Sequence, residues 1–500
     1  MADYDLAIIG GGINGTGIAR DAAGRGIRVL LVEQSDLASG TSAASTKLIH
    51  GGLRYLEHGA FRLVRESLAE REVLWRMAPH IIRPMRFVLP TDAGGRSPLL
   101  LRLGLWLYDR LGGRELLPPT SALDLTHHAV GVPLKRSYRA ALEYSDCSVD
   151  DARLVVLNAV DAAERGATIR TRTRCVRAER EEEWRLILKA RGERQVVTAS
   201  VLINAAGPWI GSVAETVLRT PLRVPARLVK GSHIVVPRLF DHDRGYILPG
   251  PDRRFVFALP FRQDFTLIGT TDEDFVGDPA VVTASLEEIH YLCRSVSAYF
   301  REGVGVEKVL HTYAGVRALY DDGAATAKDA TRDYRLIVDR PPRAAPLLTV
   351  YGGKITTYRR LAEAALRLLK DRLRGGPAWT ATAPLPGGDF VVDGVHTLVA
   401  RARRSWPFLT EPQAERLVGA YGTRLARVLG EAGRADDVAP WFGAGLSGAE
   451  VRYLVKYEWA QTADDVLWRR SKLGLSASEV DTGALTRFMQ SALEQASVQT

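Results

Sequence analysis

Three short apolar runs, each leading into glycine, punctuate the chain. They are Leu6-Ala7-Ile8-Ile9 before Gly10, Val201-Leu202-Ile203 before Asn204-Ala205-Ala206-Gly207, and Leu347-Leu348-Thr349-Val350-Tyr351 before Gly352-Gly353. Runs of this length predict buried strands, and the glycines predict tight turns into helices. The first unit closes at a further apolar run, Val29-Leu30-Leu31-Val32, followed by Glu33. It reads as strand, glycine turn, helix, strand, acid.

Elsewhere the pattern alternates. Ala167 to Val176, and a hairpin-like pair around Trp184–Leu188 and Gln195–Ala199, predict strands. Ser232–Pro237, Phe255–Pro260 and Thr266–Asp272 predict one antiparallel sheet. Phe61 to Trp75 predicts a solvent-facing amphipathic helix, and Asp150 opens another that ends near Gly166. After Pro384-Leu385-Pro386-Gly387-Gly388 the pattern turns helical. The expected fold class is therefore α/β. A Rossmann-like domain is assembled from 1–90, 141–220 and 334–384, an antiparallel-sheet domain occupies 221–333, and an all-α domain occupies 389–500. A chain of 500 residues is long enough for all three.

Charge changes the picture at one place. Between Gly51 and Arg114 stand eleven Arg against six Asp or Glu, so this stretch carries more than half of the net +9. It runs into an amphiphilic insertion, 91–140. There Pro98–Leu111 sets leucine nearly all round a helix, with Trp106 and Tyr108 as interfacial residues and Arg102 and Arg110 within reach of lipid phosphates. Fourteen residues are too few to span a bilayer. The stretch reads equally as a membrane-dipping helix and as a buried helix or dimer contact.

Composition also narrows the function. Cys147, Cys175 and Cys293 have no metal-like spacing, so neither a disulfide framework nor a metal site is expected. No run of about twenty apolar residues is present, so no transmembrane helix is expected. The start of the chain shows no signal-like basic and apolar regions, and a cytoplasmic location is expected. Ser, His and Asp show no nucleophile-elbow pattern, which argues against hydrolysis. The leucines of Pro98–Leu111 are wrong for an RNA surface, and no nucleic-acid partner is expected.

The candidate chemistry begins at the first glycine turn. Gly10 makes the tight turn, Gly12 lets a pyrophosphate approach the backbone, and Gly15 lets the helix lie against the sheet. Ile13 and Asn14 open the helix, whose unpaired N–H groups face the phosphates. Glu33 offers a carboxylate to an adenosine ribose, which disfavours a 2′-phosphate. The loop after Gln34 is dense in small and hydroxyl side chains, among them Thr41, Ser42, Ser45 and Thr46, and can wrap a ligand closely. A second glycine-opened helix starts at Gly352-Gly353-Lys354-Ile355-Thr356-Thr357 and can aim its positive end at a flavin carbonyl, favouring FAD over NAD. The same Thr356 and Thr357 are good capping residues.

With those motifs in view, the chain resembles the aerobic FAD-dependent glycerol-3-phosphate dehydrogenases, within the larger group of flavoproteins similar to D-amino-acid oxidase. The resemblance is carried by Ile8–Gly15, Lys47–Leu56, Glu143–Cys147, Lys230–Pro237, Ile268–Asp272 and Gly352–Tyr358, in order over nearly the whole chain. It implies oxidation of sn-glycerol 3-phosphate to dihydroxyacetone phosphate, with hydride passing from C2 to flavin N5 and electrons to a membrane quinone. It further implies that Lys47, Leu48, His50, Val176, Ala205, Gly207 and Trp209 join the cofactor site. The expected setting is the inner face of the cytoplasmic membrane, bound peripherally to anionic lipid, with a homodimer left open.

The residues can be weighed against that reaction. Arg54 and Arg317 are expected to clamp the phosphate dianion, with Arg332 as a third candidate. The resemblance makes His233 the base for the hydroxyl proton. Lys354 is expected at the alkoxide or the flavin N1–C2=O edge, with Tyr55 and Thr270 orienting the glycerol. His50 packs on the flavin without a chemical role. The rival readings are an oxidase that passes electrons to O2, a flavoprotein that modifies RNA, and an FAD-holding interaction protein.

Overall fold

The computed structural model describes residues 2–57, 59–91, 97–250, 252, 254–323 and 333–498. Two sheets organise it. The centre of the first is parallel, with Leu347–Tyr351, Glu193–Asn204, β1 (Tyr4–Ile9), β2 (Val29–Val32) and Thr168–Arg170 side by side in that order. Arg335–Asp339 closes one edge antiparallel, and the ribbon of Thr173–Arg180 and Trp184–Ala190 folds back onto Glu193–Asn204.

Successive residues of the central strands face opposite sides, and both sides are covered. Leu6, Ile8, Leu31, Val201 and Ile203 pack beneath α1 (Ile13–Gly24) and the helices Asp151–Glu164 and Tyr358–Leu368. Ala7, Ile9, Leu30, Val32 and Leu202 pack under the ribbon, against Trp184, Leu186 and Leu188. A strand buried on both faces needs no polar alternation, which is why the sequence shows these as continuous apolar runs.

The second sheet is almost wholly antiparallel. Its path runs Glu273–Asp274, Ala226–Pro237, Phe265–Gly269, Phe255–Phe261, Gly245–Pro249, Ile82–Pro90, Ala140–Val149 and Leu48–Ile49. His311–Tyr320 pairs antiparallel with Ala226–Val235 along its whole length. This sheet is not confined to 221–333. Ile82–Pro90 and Ala140–Val149 fall by sequence in or beside the cofactor domain, yet they join it through the pairing of Gly245 and Tyr246 with Phe87 and Val88.

One helix differs from its expected setting, and so does one residue of another. Phe61–Met77 is not simply solvent-facing, because it buries Glu70, Arg71 and Glu72 along with its leucines. Each charge finds a partner: Glu70 takes Arg359, Arg71 takes Asp146, and Glu72 accepts the backbone N–H groups of Glu115 and Leu116. Pro98–Leu111 is a surface helix. Leu105 and Tyr108 point inwards, while Leu99, Leu100, Leu103 and Trp106 remain 76, 63, 60 and 50% exposed. Tyr108 is thus not interfacial. Its hydroxyl donates to the Asp146 carboxylate and accepts from Gly51 N at 2.8 Å.

The last part is helical and has its own core, built from Val395–Ser405, Glu411–Tyr421, Gly448–Glu458 and Thr482–Val498. Thr410 and Gln413 cap the second of these helices reciprocally, with Pro412 in its first turn. Among the described residues no helix is long and apolar enough to cross a membrane.

Candidate cofactor and substrate site

A cavity of about 1640 Å³ runs from the glycine turn after β1 to the open face of the second sheet. Gly10 lines it with φ +119°, and a Cβ there would stand 2.5 Å from Ala205 O. Gly15 lies behind the turn, where a Cβ would stand 1.9 Å from Gly10 O, so only glycine permits this close approach. Gly12, Ile13 and Asn14 form the lip of α1. Glu33 lines the same end and accepts from Gly11 N at 2.7 Å and Ser35 N at 2.8 Å. Burial holds its carboxyl above the usual carboxylate range, and those two amides offset only part of the rise. Each oxygen keeps a lone-pair direction for a further donor.

The loop behind Glu33 forms one wall. Gln34, Thr41, Ser42, Ser45, Thr46 and Leu48 face the cavity. Ser42 Oγ accepts from Ile13 N at 3.0 Å and so ties loop to helix. Lys47 does not line the cavity. Its ammonium is buried on Asp151 at 2.7 Å and on Ala43 O at 2.9 Å, and burial lowers its pKa to about 8. On the strand Thr173–Arg180 the lining residues are Thr173, Arg174 and Cys175 rather than Val176. Ala205, Gly207 and Trp209 complete this side.

The second glycine turn stands opposite. Gly352, Gly353, Lys354, Ile355 and Thr356 line the cavity, with φ +64° and +96° at the two glycines. Asn14 Nδ2 donates to Gly352 O at 3.0 Å, so the two turns are joined directly. Thr357 is buried behind them, and neither threonine caps through its side chain. Thr356 Oγ1 instead accepts from His50 N at 3.2 Å.

The far end is cationic. Arg317 donates to Asp272 at 2.7 Å, and both line the cavity. A Cβ on Gly231 would meet Thr270 Oγ1 at 2.8 Å and Arg317 Nη2 at 3.3 Å, so the missing side chain leaves room where these two groups converge. Lys354 Nζ stands 3.7 Å from the Tyr55 ring centroid, and both residues line the cavity. His50 is on the wall too. Burial, then Lys354 and Arg317, push its pKa down to about 3, so its imidazole is neutral.

His233 is placed differently from its expected role. It is buried behind Thr46, with Nε2 3.0 Å from Thr46 Oγ1, and it stacks on Tyr313. Burial lowers its pKa to about 3. Arg54 opens the short helix Arg54–Glu57, but its side chain, like the whole of Arg332, lies outside the described residues. Other lining residues were given no role from the sequence, among them Gly231, Arg254 and Asp272. Gly231 and Asp272 stand inside the Lys230–Pro237 and Ile268–Asp272 motifs and Arg254 directly before the strand run Phe255–Pro260, so that position was the available signal. Among the described residues no group of His, Cys, Asp or Glu is arranged to hold a metal ion.

These features fit FAD on structural grounds alone. A long cavity carries a glycine cradle and an acid at one end, and a second helix start with the orphaned buried Asn14 Oδ1 beside it. Comparison with known proteins agrees. Residues 5–359 match the model of the FAD dependent oxidoreductase family, and 378–497 match the C-terminal domain of alpha-glycerophosphate oxidase. The chain is 50% identical over 491 residues to a glycerol-3-phosphate dehydrogenase of Pseudomonas aeruginosa, covering 98% of this chain and 95% of that protein. It is 47% identical over 494 residues to a D-erythritol 1-phosphate dehydrogenase of Brucella abortus, covering 98% of each. The structure of a glycerol-3-phosphate dehydrogenase from Bacillus halodurans complexed with FAD superposes with a TM-score of 0.77 at 25% identity, covering 98% of this chain and 91% of that one. The chain belongs to the FAD dependent oxidoreductase family, and its cofactor is FAD.

Proposed function

We propose that the protein oxidises the secondary hydroxyl of sn-glycerol 3-phosphate to give dihydroxyacetone phosphate. The observation that carries this is the convergence of Arg317 and Thr270 over Gly231 on the wall of the cavity. A forked cation beside a hydroxyl suits a phosphate attached to a small polyol. Two relatives at 47–50% identity are named as dehydrogenases of phosphorylated polyols, which supports the same chemistry.

Bound FAD, held between the two glycine turns with Glu33 at its ribose end, would supply a two-electron acceptor for the C2 hydrogen, with a membrane quinone as its oxidant. The chain's own residues do the rest. Arg317 binds the phosphate, with Arg54 and Arg332 assigned beside it by the resemblance. Thr270 and Tyr55 orient the glycerol. The neutral imidazole of His50 faces the cavity, where it can accept a hydrogen bond from the substrate hydroxyl, while Lys354 holds the developing alkoxide. His233 supports this from behind, through its hydrogen bond with Thr46. The exposed face of Pro98–Leu111 seats the protein peripherally on the anionic inner face of the cytoplasmic membrane.

The test is anaerobic addition of sn-glycerol 3-phosphate to the yellow holoprotein, with D-erythritol 1-phosphate run in parallel. Bleaching of the flavin by the first at the lower concentration is expected. Preferential bleaching by the second reassigns the substrate, and no bleaching by either overturns the reading. The match of 378–497 to an oxidase domain keeps O2 as the rival acceptor. Peroxide formed per turnover, with and without a quinone analogue, decides between them.

A further inference from the structure

The cofactor loop after β2 is held at both ends by one short segment of the C-terminal helical domain. At its start, Asp36 is buried and its carboxylate is gripped by consecutive arginines: Arg469 Nε at 2.6 Å, Arg470 Nη1 at 2.9 Å and Arg470 Nη2 at 2.8 Å. At its end, Ser45 Oγ at 2.8 Å and Lys47 Nζ at 2.7 Å share Asp151, whose other oxygen is 3.4 Å from Lys472 Nζ. Asp151, Arg470 and Lys472 are all buried. Between these anchors Thr41, Ser42, Ser45 and Thr46 face the cavity. The same segment reaches the second sheet, where Trp468 stacks on His311 at 4.5 Å.

We propose that residues 469–472 are a latch for the cofactor, and that the C-terminal domain holds loop 36–47 in the shape that receives FAD. None of these residues touches the cavity, so they act by positioning. Among the described residues, every side-chain donor on the Asp36 carboxylate comes from Arg469 or Arg470. Without Arg470 a buried carboxylate loses two of its three bonds, and the cheapest relief is for the loop to swing Asp36 towards water. A loop in that state must be ordered again as FAD binds, which weakens binding. The coupling is reciprocal, so bound FAD must also tighten the docking of the segment around 469–472.

The test compares full-length Arg470→Met and Lys472→Met with the parent, each prepared without FAD and reconstituted. Three readouts are taken: the FAD dissociation constant by quenching of FAD fluorescence, the rise in melting temperature on adding FAD, and hydrogen exchange across 36–47. The expected result is a dissociation constant raised at least tenfold in Arg470→Met and several-fold in Lys472→Met. The FAD-induced rise in melting temperature should shrink, and apo 36–47 should exchange faster. Should Arg470→Met fail to fold, Lys472→Met carries the comparison alone. A dissociation constant within twofold of the parent overturns the latch. So does an equal fall in melting temperature with and without FAD, because that marks domain docking with no link to the cofactor.

Discussion

Asn14, in the first glycine turn, donates its side-chain amide to the carbonyl of Gly352, in the second, at 3.0 Å. The two residues lie 338 positions apart, and this bond fixes the spacing of the two helix starts that flank the cavity. A Cβ on Gly353 would press on the same amide at 3.0 Å, so the glycine and the asparagine are fitted to each other. Asn14→Ala removes the bond and leaves Gly352 O short of a donor. At about 0.5–1.5 kcal/mol for such a bond, the FAD dissociation constant should rise roughly 2- to 12-fold. Equilibrium titration of the apoprotein with FAD measures it, and an unchanged constant would show that the turns are spaced by the sheet alone.

Arg317 gives the second prediction. Its guanidinium is partly exposed to the cavity and paired on one side with Asp272, so it can still present N–H donors to an anion. Losing a charged hydrogen-bonded contact to phosphate costs about 2–5 kcal/mol, so Arg317→Ala should raise KM for sn-glycerol 3-phosphate by at least thirtyfold. FAD content should not change, because the Arg317 hydrogen bond goes to Asp272 and not to either glycine turn. Steady-state kinetics beside the visible flavin absorbance per protein separates the two effects. Normal KM would remove Arg317 from the phosphate site.

Much of the scaffold was legible because its signals are local. Gly10 and Gly15 occupy places that only glycine fills, Gly352 and Gly353 take positive φ in the second turn, and continuous apolar runs mark strands buried on both sides. Pairings distant in sequence left no such mark. The strand Ile82–Pro90 looks like any other strand, and its place in the second sheet depends on partners at 140–149 and 245–246. Arg71 and Glu70 look like solvent-facing helix charges until Asp146 and Arg359 are brought beside them. Tyr108 fits an interfacial pattern as well as a buried one, because the pattern does not reveal that Asp146 waits underneath. His233 shows the same limit at the site: alternation gives its strand and face, but not that Thr46 stands in front of it.

The helix Pro98–Leu111 separates into two faces with different expected effects. Outwards it shows Leu99, Leu100, Leu103 and Trp106, with Arg110 lying over the Trp106 ring at 4.1 Å. Burying each of these side chains in lipid is worth roughly 1.5–3 kcal/mol, enough in sum for peripheral binding. Replacing Leu100, Leu103 and Trp106 together by serine should abolish co-flotation with anionic vesicles while leaving flavin bleaching by substrate intact. If flotation persists and a dimer falls apart instead, the face is a contact between two copies. Inwards, Tyr108→Phe removes the donor to Asp146 and the acceptor for Gly51 N, in the turn that carries His50. That variant should float normally and lose kcat.

Stability should fall on the acid side for a reason that can be traced to single histidines. His80 and His233 are both buried, and burial pushes each down to about pKa 3. Neighbouring cations reinforce the shift, Arg153 most at His80 and Lys47 most at His233. The unfolded chain takes up a proton at each near its ordinary value of about 6.5, whereas the folded chain does not until near 3. Between those limits the unfolded state binds more protons, so stability is full above about pH 6.5 and declines as pH drops. Well below 6.5 each histidine contributes a slope approaching roughly 1.4 kcal/mol per pH unit. Carboxylates titrate over part of the same range, so the test is a difference. Urea unfolding at pH 7, 6 and 5 should show a shallower pH dependence in His80→Gln/His233→Gln than in the parent, since glutamine cannot take up the proton. Identical slopes would mean that both imidazoles are protonated in the folded protein, and that their burial does not hold them neutral.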